Sequence, residues 1–236
     1  MSDRPDKILQ KLLKGFESFR KEHYETHPDK MRDLVENGQK PEALVFSCSD
    51  SRSAPEMVLG AEPGEIFVGR QIAALVPPYD PDDEDDTVAA SIEFAVNTLG
   101  VQHIIVVGHT SCGGIQGLAD DLKDGAVGHW IQRAREIKER AKQKLGGNTS
   151  DRKALVAEME RESVLWSLEN LRGYPAVQKA MKEGRLQIHG WQFDMKKGEI
   201  NAYDPQSRSF IPLSKDEGKN AGTEQIKKTP YRKFRR

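Results

Sequence analysis

Apolar side chains recur along the chain with two periods. Over residues 6–22, Ile8, Leu9, Leu12, Leu13 and Phe16 fall at helical spacing, with Lys, Glu and Arg on the opposite side. A second helix is predicted over 28–36. The run Ala43-Leu44-Val45-Phe46 reads as a buried strand over 43–47. Pro55-Glu56-Met57-Val58-Leu59 reads as a short helical turn opened by proline. Pro63-Gly64 marks a turn before a second strand over 65–69, and Pro77-Pro78-Tyr79-Asp80-Pro81 interrupts regular structure.

An apolar helix is predicted over 87–99 and a third strand over 102–107. Gly113-Gly114-Ile115 opens a helix running to 121. Trp130, Ile131, Ala134, Ile137 and Ala141 predict a helix over 129–144. Asp151 caps a long helix through Leu155, Met159, Val164 and Leu168, and Pro175 starts a short one that Gly184 ends. Residues 186–193 alternate as a strand, Lys197-Gly198 is a turn, and 199–203 pairs back. Strands alternating with helices predict an α/β fold: a mostly parallel central sheet flanked by helices, with an antiparallel edge strand. The division expected is a helical arm over 1–36, an α/β catalytic domain over 37–213, and a polar tail over 214–236. The two arm helices bury little by themselves, so they either pack on their own domain or wrap a partner subunit.

Composition narrows the class. The 236 residues suit one domain with arms, and the net charge of -1 gives no global field toward nucleic acid or acidic membrane. Hydrophobic content of 36% with 31% charged residues suits a soluble protein. No apolar run approaches the roughly 20 residues of a membrane-spanning helix. The start Met1-Ser2-Asp3-Arg4-Pro5 has no apolar signal region, so the expected location is the cytoplasm, where thiols stay reduced. The acids Asp82, Asp83, Glu84, Asp85 and Asp86 are read as helix N-terminal charge, since they lack the spacing and glycine of an EF-hand loop. Lys227, Lys228, Arg232, Lys233, Arg235 and Arg236 give the tail a basic end, read as a mobile terminus and not as a nucleic-acid or membrane site.

The chemistry gathers at two strand ends. Cys48-Ser49-Asp50-Ser51-Arg52 follows the first strand, and Gly108-His109-Thr110-Ser111-Cys112-Gly113-Gly114 follows the third. In open α/β sheets ligands sit outside these carboxyl ends. Either cysteine alone would be read as a small core residue, and His109 alone as a hydrogen-bonded core histidine. Together they offer zinc two thiolates and an imidazole, with Asp50 as the nearby acid that can be a fourth ligand. Paired C-x-x-C knuckles of a structural site are absent, and the glycine loop lacks the Lys-[Ser/Thr] ending of a phosphate loop.

These two motifs resemble the signature of the β-class carbonic anhydrases. Glu62-Pro63-Gly64-Glu65-Ile66-Phe67-Val68, Val76-Pro77-Pro78-Tyr79, Ser91-Ile92-Glu93-Phe94-Ala95-Val96 and His189-Gly190-Trp191 resemble that family in type and order, so the resemblance spans residues 5 to 205. It implies a zinc-dependent carbonate dehydratase that hydrates CO2 reversibly to bicarbonate and a proton through a hydroxide on Zn2+. It makes Cys48, His109 and Cys112 the metal ligands and Asp50 with Arg52 the catalytic pair. Arg52 can hold Asp50 bidentately and draw it off the metal, so Asp50 is a fourth ligand only in a closed state.

The resemblance also implies a substrate pocket of Gln39, Phe67, Ile72, Phe94 and Gly113. Phe94 departs from the plant-like members, which usually have tyrosine there. A second subclass binds regulatory bicarbonate through a tryptophan, an arginine and a tyrosine. Here Val45 and Phe193 stand at two of those positions and only Arg70 matches, so the plant-like, non-bicarbonate-regulated subclass is expected. The family assembles as dimers or multiples of dimers, with Gln39 and Phe67 among the positions supplied across subunits. That implies a homodimer or homotetramer and favours the arm-wrapping reading. The rival readings are a hydrolase of carbonyl sulfide or carbon disulfide on the same scaffold, a non-catalytic zinc-stabilised binding protein, and a cysteine-nucleophile hydrolase.

Overall fold

The computed structural model describes residues 4–83, 85–147 and 150–213. Its centre is a six-stranded sheet: β1 (Ala43–Cys48), β2 (Ile66–Gln71), β3 (His103–His109), β4 (Gln187–Asp194), β5 (Glu199–Asp204) and β6 (Ser209–Pro212). The spatial order is β2-β1-β3-β4-β5-β6. The first four strands are mutually parallel, and β5 and β6 add antiparallel pairs at one edge. The α/β expectation holds. β1 is buried along its whole length, as a central parallel strand covered on both faces must be.

The helices are α1 (Arg4–Arg20), α2 (Pro28–Glu36), α3 (Pro55–Leu59), α4 (Thr87–Glu93), α5 (Gly113–Ala119), α6 (Gly125–Gln132), α7 (Glu136–Lys144), α8 (Arg152–Leu171) and α9 (Pro175–Lys182). On one sheet face Leu44, Phe46, Ile104, Val106 and Ile188 pack with Val88 and Ile92 of α4, Val164 and Leu168 of α8, and Val177 of α9. On the other, Ala43, Val45, Ile105 and Val107 meet Leu59, Ile66, Trp191 and Phe193. A third cluster gathers Leu75, Ile115, Leu118, Ile131, Ile137 and Met159 around Cys48 and Cys112.

The sequence boundaries shift in four places. The first helix does not stop at 22 but runs on from α1 as a π-helical turn over Lys21–Thr26. The helix expected over 87–99 is α4 followed by another π-helical turn, Phe94–Leu99. The helix expected over 129–144 begins earlier and divides into α6 and α7. Between them the amides of Arg133, Ala134 and Arg135 bond three residues back, to Trp130, Ile131 and Gln132. The buried Ile131, Ala134 and Ile137 recur every third residue there, which suits the tighter 3₁₀ turn. β6 was not anticipated: it is four residues long and only half-buried. Cross-strand packing fixes it, with the Tyr203 and Phe210 rings 5.5 Å apart.

Two caps match expectation. Asp151 accepts the Ala154 amide at 3.0 Å to start α8. Asp86 accepts the amides of Val88 and Ala89 at 2.8 and 3.1 Å, which gives the acidic cluster a capping member. Glu84 and the basic tail over 214–236 lie outside the described residues. No helix among the described residues is long and apolar enough to cross a membrane. The apolar stripe of α1 is uncovered: Ile8, Leu9, Leu12, Leu13 and Phe16 are each 50–62% exposed.

His103 of β3 and His189 of β4 face each other across the sheet, Nδ1 to Nε2 at 3.2 Å. Burial, and then the neighbouring His103, push His189 down to about 4 from 6.5. The unfolded chain therefore binds this proton first on acidification. The stabilising contribution is complete above about pH 6.5 and is lost as the pH falls toward 4, amounting to roughly 3 kcal/mol. Denaturant unfolding at pH 7 and pH 4.5 is expected to show this loss in the wild type and a smaller one in His189→Gln. An equal acid loss in both proteins excludes this pair as its source.

Candidate metal centre

The register of the parallel strands builds the site. Ser47 pairs with Val107, so Cys48 at the end of β1 stands beside Gly108 and His109 at the end of β3. The chain then turns through Ser111, whose φ is 59°, and Cys112 becomes the N-cap of α5. One ligand atom each from Cys48, His109 and Cys112 lies within 4.8 Å of the others, all three residues being buried. The sequence expectation that these residues converge holds. They are the only such group of three among the described residues.

The donor set fits a soft divalent metal. His109 Nδ1 stands 2.9 Å from the Thr110 carbonyl, which can only accept, so Nδ1 carries the proton. Nε2 then holds the lone pair, and it is buried with no hydrogen-bond partner. A buried nitrogen acceptor without a donor, beside two free thiols, has the chemistry of a ligand. The two thiols titrate against each other. Cys48 titrates well below the ordinary thiol range, first because it accepts a hydrogen bond from Cys112, with His109 and the Asp50 amide adding to this against burial. Cys112 is driven up by the Cys48 thiolate and by burial. A divalent cation between them removes that conflict, because metal binding takes both as thiolates.

Asp50 lies outside this cluster, held by Arg52. The guanidinium donates from Nε to Oδ1 at 2.9 Å and from Nη2 to Oδ2 at 2.7 Å. The Arg52 amide adds a bond to Oδ1 at 2.9 Å. These bonds hold the Asp50 carboxyl well below the usual carboxylate range, so it stays ionised. Arg52 Nη2 also reaches the Ser111 carbonyl at 3.3 Å, tying the two ligand turns together. Arg70 grips the first turn from behind. Its Nε and Nη2 donate to the Cys48 carbonyl at 3.1 and 3.0 Å, and Nη2 donates to the Asp50 carbonyl at 2.8 Å.

The expected pocket residues divide. Ile72 follows β2 where Gln71 pairs with Cys48, and its Cγ2 would stand 2.8 Å from a Cβ on Gly114. Gly113 faces open space at the same mouth. Gln39, Phe67 and Phe94 are not brought to this chain's own centre. Gln39 precedes β1, whereas Cys48 ends it. Phe67 pairs with Leu44, four strand positions from the Gln71–Cys48 pair and so about 13 Å along the sheet. Phe94 stacks on Phe67, with ring centroids 5.8 Å apart.

Two contributors escaped the sequence reading. Trp130 Nε1 donates to the Ile72 carbonyl at 2.9 Å, fixing the pocket wall. Glu160 accepts the Cys112 amide at 3.0 Å. Its signal was an acid in the four-residue row Val156, Glu160, Val164, Leu168 on the buried face of α8.

The fold and these side chains define an α/β protein with a buried Cys2His set able to hold a metal ion and an arginine-held carboxylate beside it. Residues 43–200 match the family model described as carbonic anhydrase. A carbonic anhydrase of Pseudomonas aeruginosa is 37% identical over 211 residues, covering 87% of this chain and 92% of that one. The solved β-carbonic anhydrase CcaA superposes with a TM-score of 0.79 at 30% identity, over 87% of this chain and 99% of that one. One of two tetrameric β-carbonic anhydrases of Sordaria macrospora gives 0.73 at 29% identity, over 83% of this chain and 96% of that one. The chain belongs to the carbonic anhydrase family, in its β class.

Close approach at the mouth gives a direct test. A Cβ on Gly114 would also stand 3.1 Å from Ala73 Cβ. Ala73 and Ala74 have left-handed φ of 62° and 54° and little freedom to retreat. Gly114→Ala is expected to lower unfolding free energy by about 1–3 kcal/mol, measured by thermal melting. An unchanged melting temperature removes this contact as a constraint.

Proposed function

We propose that this chain catalyses the reversible hydration of CO2 to bicarbonate and a proton, with zinc held by Cys48, His109 and Cys112. The observation that carries the reading is the pairing of a convergent Cys2His set with a carboxylate that Arg52 keeps outside it. Zinc bound there supplies a nucleophile at neutral pH, by lowering the pKa of a coordinated water toward about 7.

The residues of the chain do the rest. Cys112 and Cys48 provide two thiolates, and the Thr110 carbonyl holds His109 in the tautomer that presents Nε2. The ionised Asp50 can only accept hydrogen bonds, so it orients a hydroxyl beside it and holds no proton of its own. The bidentate grip of Arg52 sets which way Asp50 points, and the Ser111 carbonyl steadies that guanidinium. A purely structural metal site has no use for this arrangement. Ile72, with Gly113 at the mouth, lines an apolar approach suited to nonpolar CO2.

Gln39, Phe67 and Phe94, at the far end of β1 and β2, suit contribution to the pocket of a neighbouring subunit. The exposed apolar stripe of α1 suits the same assembly, a homodimer or homotetramer with a second copy covering the arm. The tetrameric description of the Sordaria macrospora relatives supports it. We place the chain in the plant-like subclass, without bicarbonate regulation. Val45 is buried inside β1, Phe193 lies on β4, and Arg70 is already engaged by the Cys48 and Asp50 carbonyls. Two free buried cysteines suit a reducing compartment, the cytoplasm.

Stopped-flow CO2 hydration tests the reading. Asp50→Asn is expected to lose about a hundredfold or more in kcat/KM while keeping the wild-type zinc content, measured by metal analysis. Chelation is expected to abolish activity and zinc to restore it. Wild-type rates in Asp50→Asn, or activity that survives complete zinc removal, exclude the mechanism. Deleting residues 1–36 is expected to reduce the assembly to a smaller species by sedimentation, with activity falling in step; an unchanged assembly excludes the arm as its support.

A further inference from the structure

Glu160 is a carboxylate that the mechanism above does not use. It lies in the middle of α8 and is only 4% exposed. A buried acid normally has a cationic partner. The ion pairs of this helix instead use its neighbours: Arg161 and Lys144 pair with Glu158, and Lys144 with Glu162. The polar contact resolved on the Glu160 carboxylate comes from a ligand turn. Oε1 accepts the Cys112 amide at 3.0 Å.

That amide needs an acceptor. Cys112 is the N-cap of α5, so its amide lies ahead of the helix's own bonding ladder. Ser111 precedes it in a left-handed conformation, which a non-glycine residue keeps only where its surroundings hold it there. Buried backbone amides are almost always paired. The Glu160 side chain supplies that acceptor from a neighbouring helix. Its base is firm, because Met159, Ser163 and Val164 around it on α8 are all buried. The Cys112 side chain emerges from the residue whose amide is so held.

We infer that Glu160 is a positioning residue for the metal centre: its buried carboxylate clamps the Ser111–Cys112 turn so that the Cys112 thiolate is aimed at Cys48 and His109. The inference rests on the reading of those three residues as zinc ligands. Glutamine is a discriminating substitute. Its oxygen can accept from the Cys112 amide in only one of its two amide orientations, whereas either carboxylate oxygen can. Alanine leaves the Cys112 amide bare.

The test is the rate of zinc release from the purified holoprotein to a chromophoric chelator, at fixed pH and temperature. Glu160→Ala is expected to release zinc about ten- to a hundredfold faster than the wild type, with Glu160→Gln between them, the range typical of groups that orient metal ligands. Val156→Ala, which opens a cavity one turn away on the same helix, reports general loosening of α8. It is expected to lower the melting temperature while leaving the release rate near wild type. Should Glu160→Ala not fold, the near-isosteric Glu160→Gln decides. Wild-type release from Glu160→Gln overturns the inference, as does equal acceleration in Glu160→Gln and Val156→Ala. A wild-type protein that purifies and reconstitutes without zinc overturns the metal reading itself, a different result from zinc that binds normally in every variant.

Discussion

The parallel pairing of β1 with β3 is the constraint from which the rest of the site follows. Parallel strands end on the same side of a sheet, and this register sets the end of one directly beside the end of the other. Cys48 and His109 occupy those ends, and a single left-handed turn returns Cys112 to them. A one-residue slip would send the side chains of one strand to the opposite face. Leu44, Phe46, Ile104 and Val106 oppose that slip, since they would leave the core they share with α4 and α8. Hydrophobic packing well away from the metal centre thus sets its geometry.

Charge is distributed around the centre with a consistent logic. The carbonyls of the first turn, at Cys48 and Asp50, meet a guanidinium, that of Arg70. The Cys112 amide of the second turn meets the buried side chain of Glu160. Arg52 spans the two, with its fork on Asp50 and one nitrogen on the Ser111 carbonyl. Each turn is thus held by a side chain from a neighbouring element, Arg70 of β2 and Glu160 of α8. The thiol pair is the exception. Cys48 is held low and Cys112 is driven high by their proximity, a conflict that a bound cation would remove.

Much of this was legible in the sequence because the relevant signals are local. The apolar run before Cys48, the run before His109, and the Thr110-Ser111 spacing to Cys112 are short and contiguous. The α/β alternation and the Asp151 cap were also legible, and the structure has both. The division of the 129–144 helix was not, because a three-residue buried repeat differs little from a helical one over so short a stretch. β6 was missed because its four residues gain their order from Tyr203 and the strand before it. Glu160 was invisible as a functional residue since its target lies 48 positions away. Gln39, Phe67 and Phe94 belong to a pocket by resemblance, and within this chain they stand at the other end of the strands.

The short bend at Ile72–Ala74 carries a consequence for sequence change. Ala73 and Ala74 both adopt left-handed backbone angles, Trp130 pins the carbonyl just before them, and Gly114 leaves room for their approach. Side chains branched at Cβ are poorly tolerated in that conformation, and larger ones at these buried positions would crowd the cluster they share with Leu75, Ile115 and Leu118. Mutational drift here is confined to a small alphabet, with glycine and alanine foremost. It is further coupled to position 114, because a side chain added there would need the loss of bulk at Ile72 or Ala73.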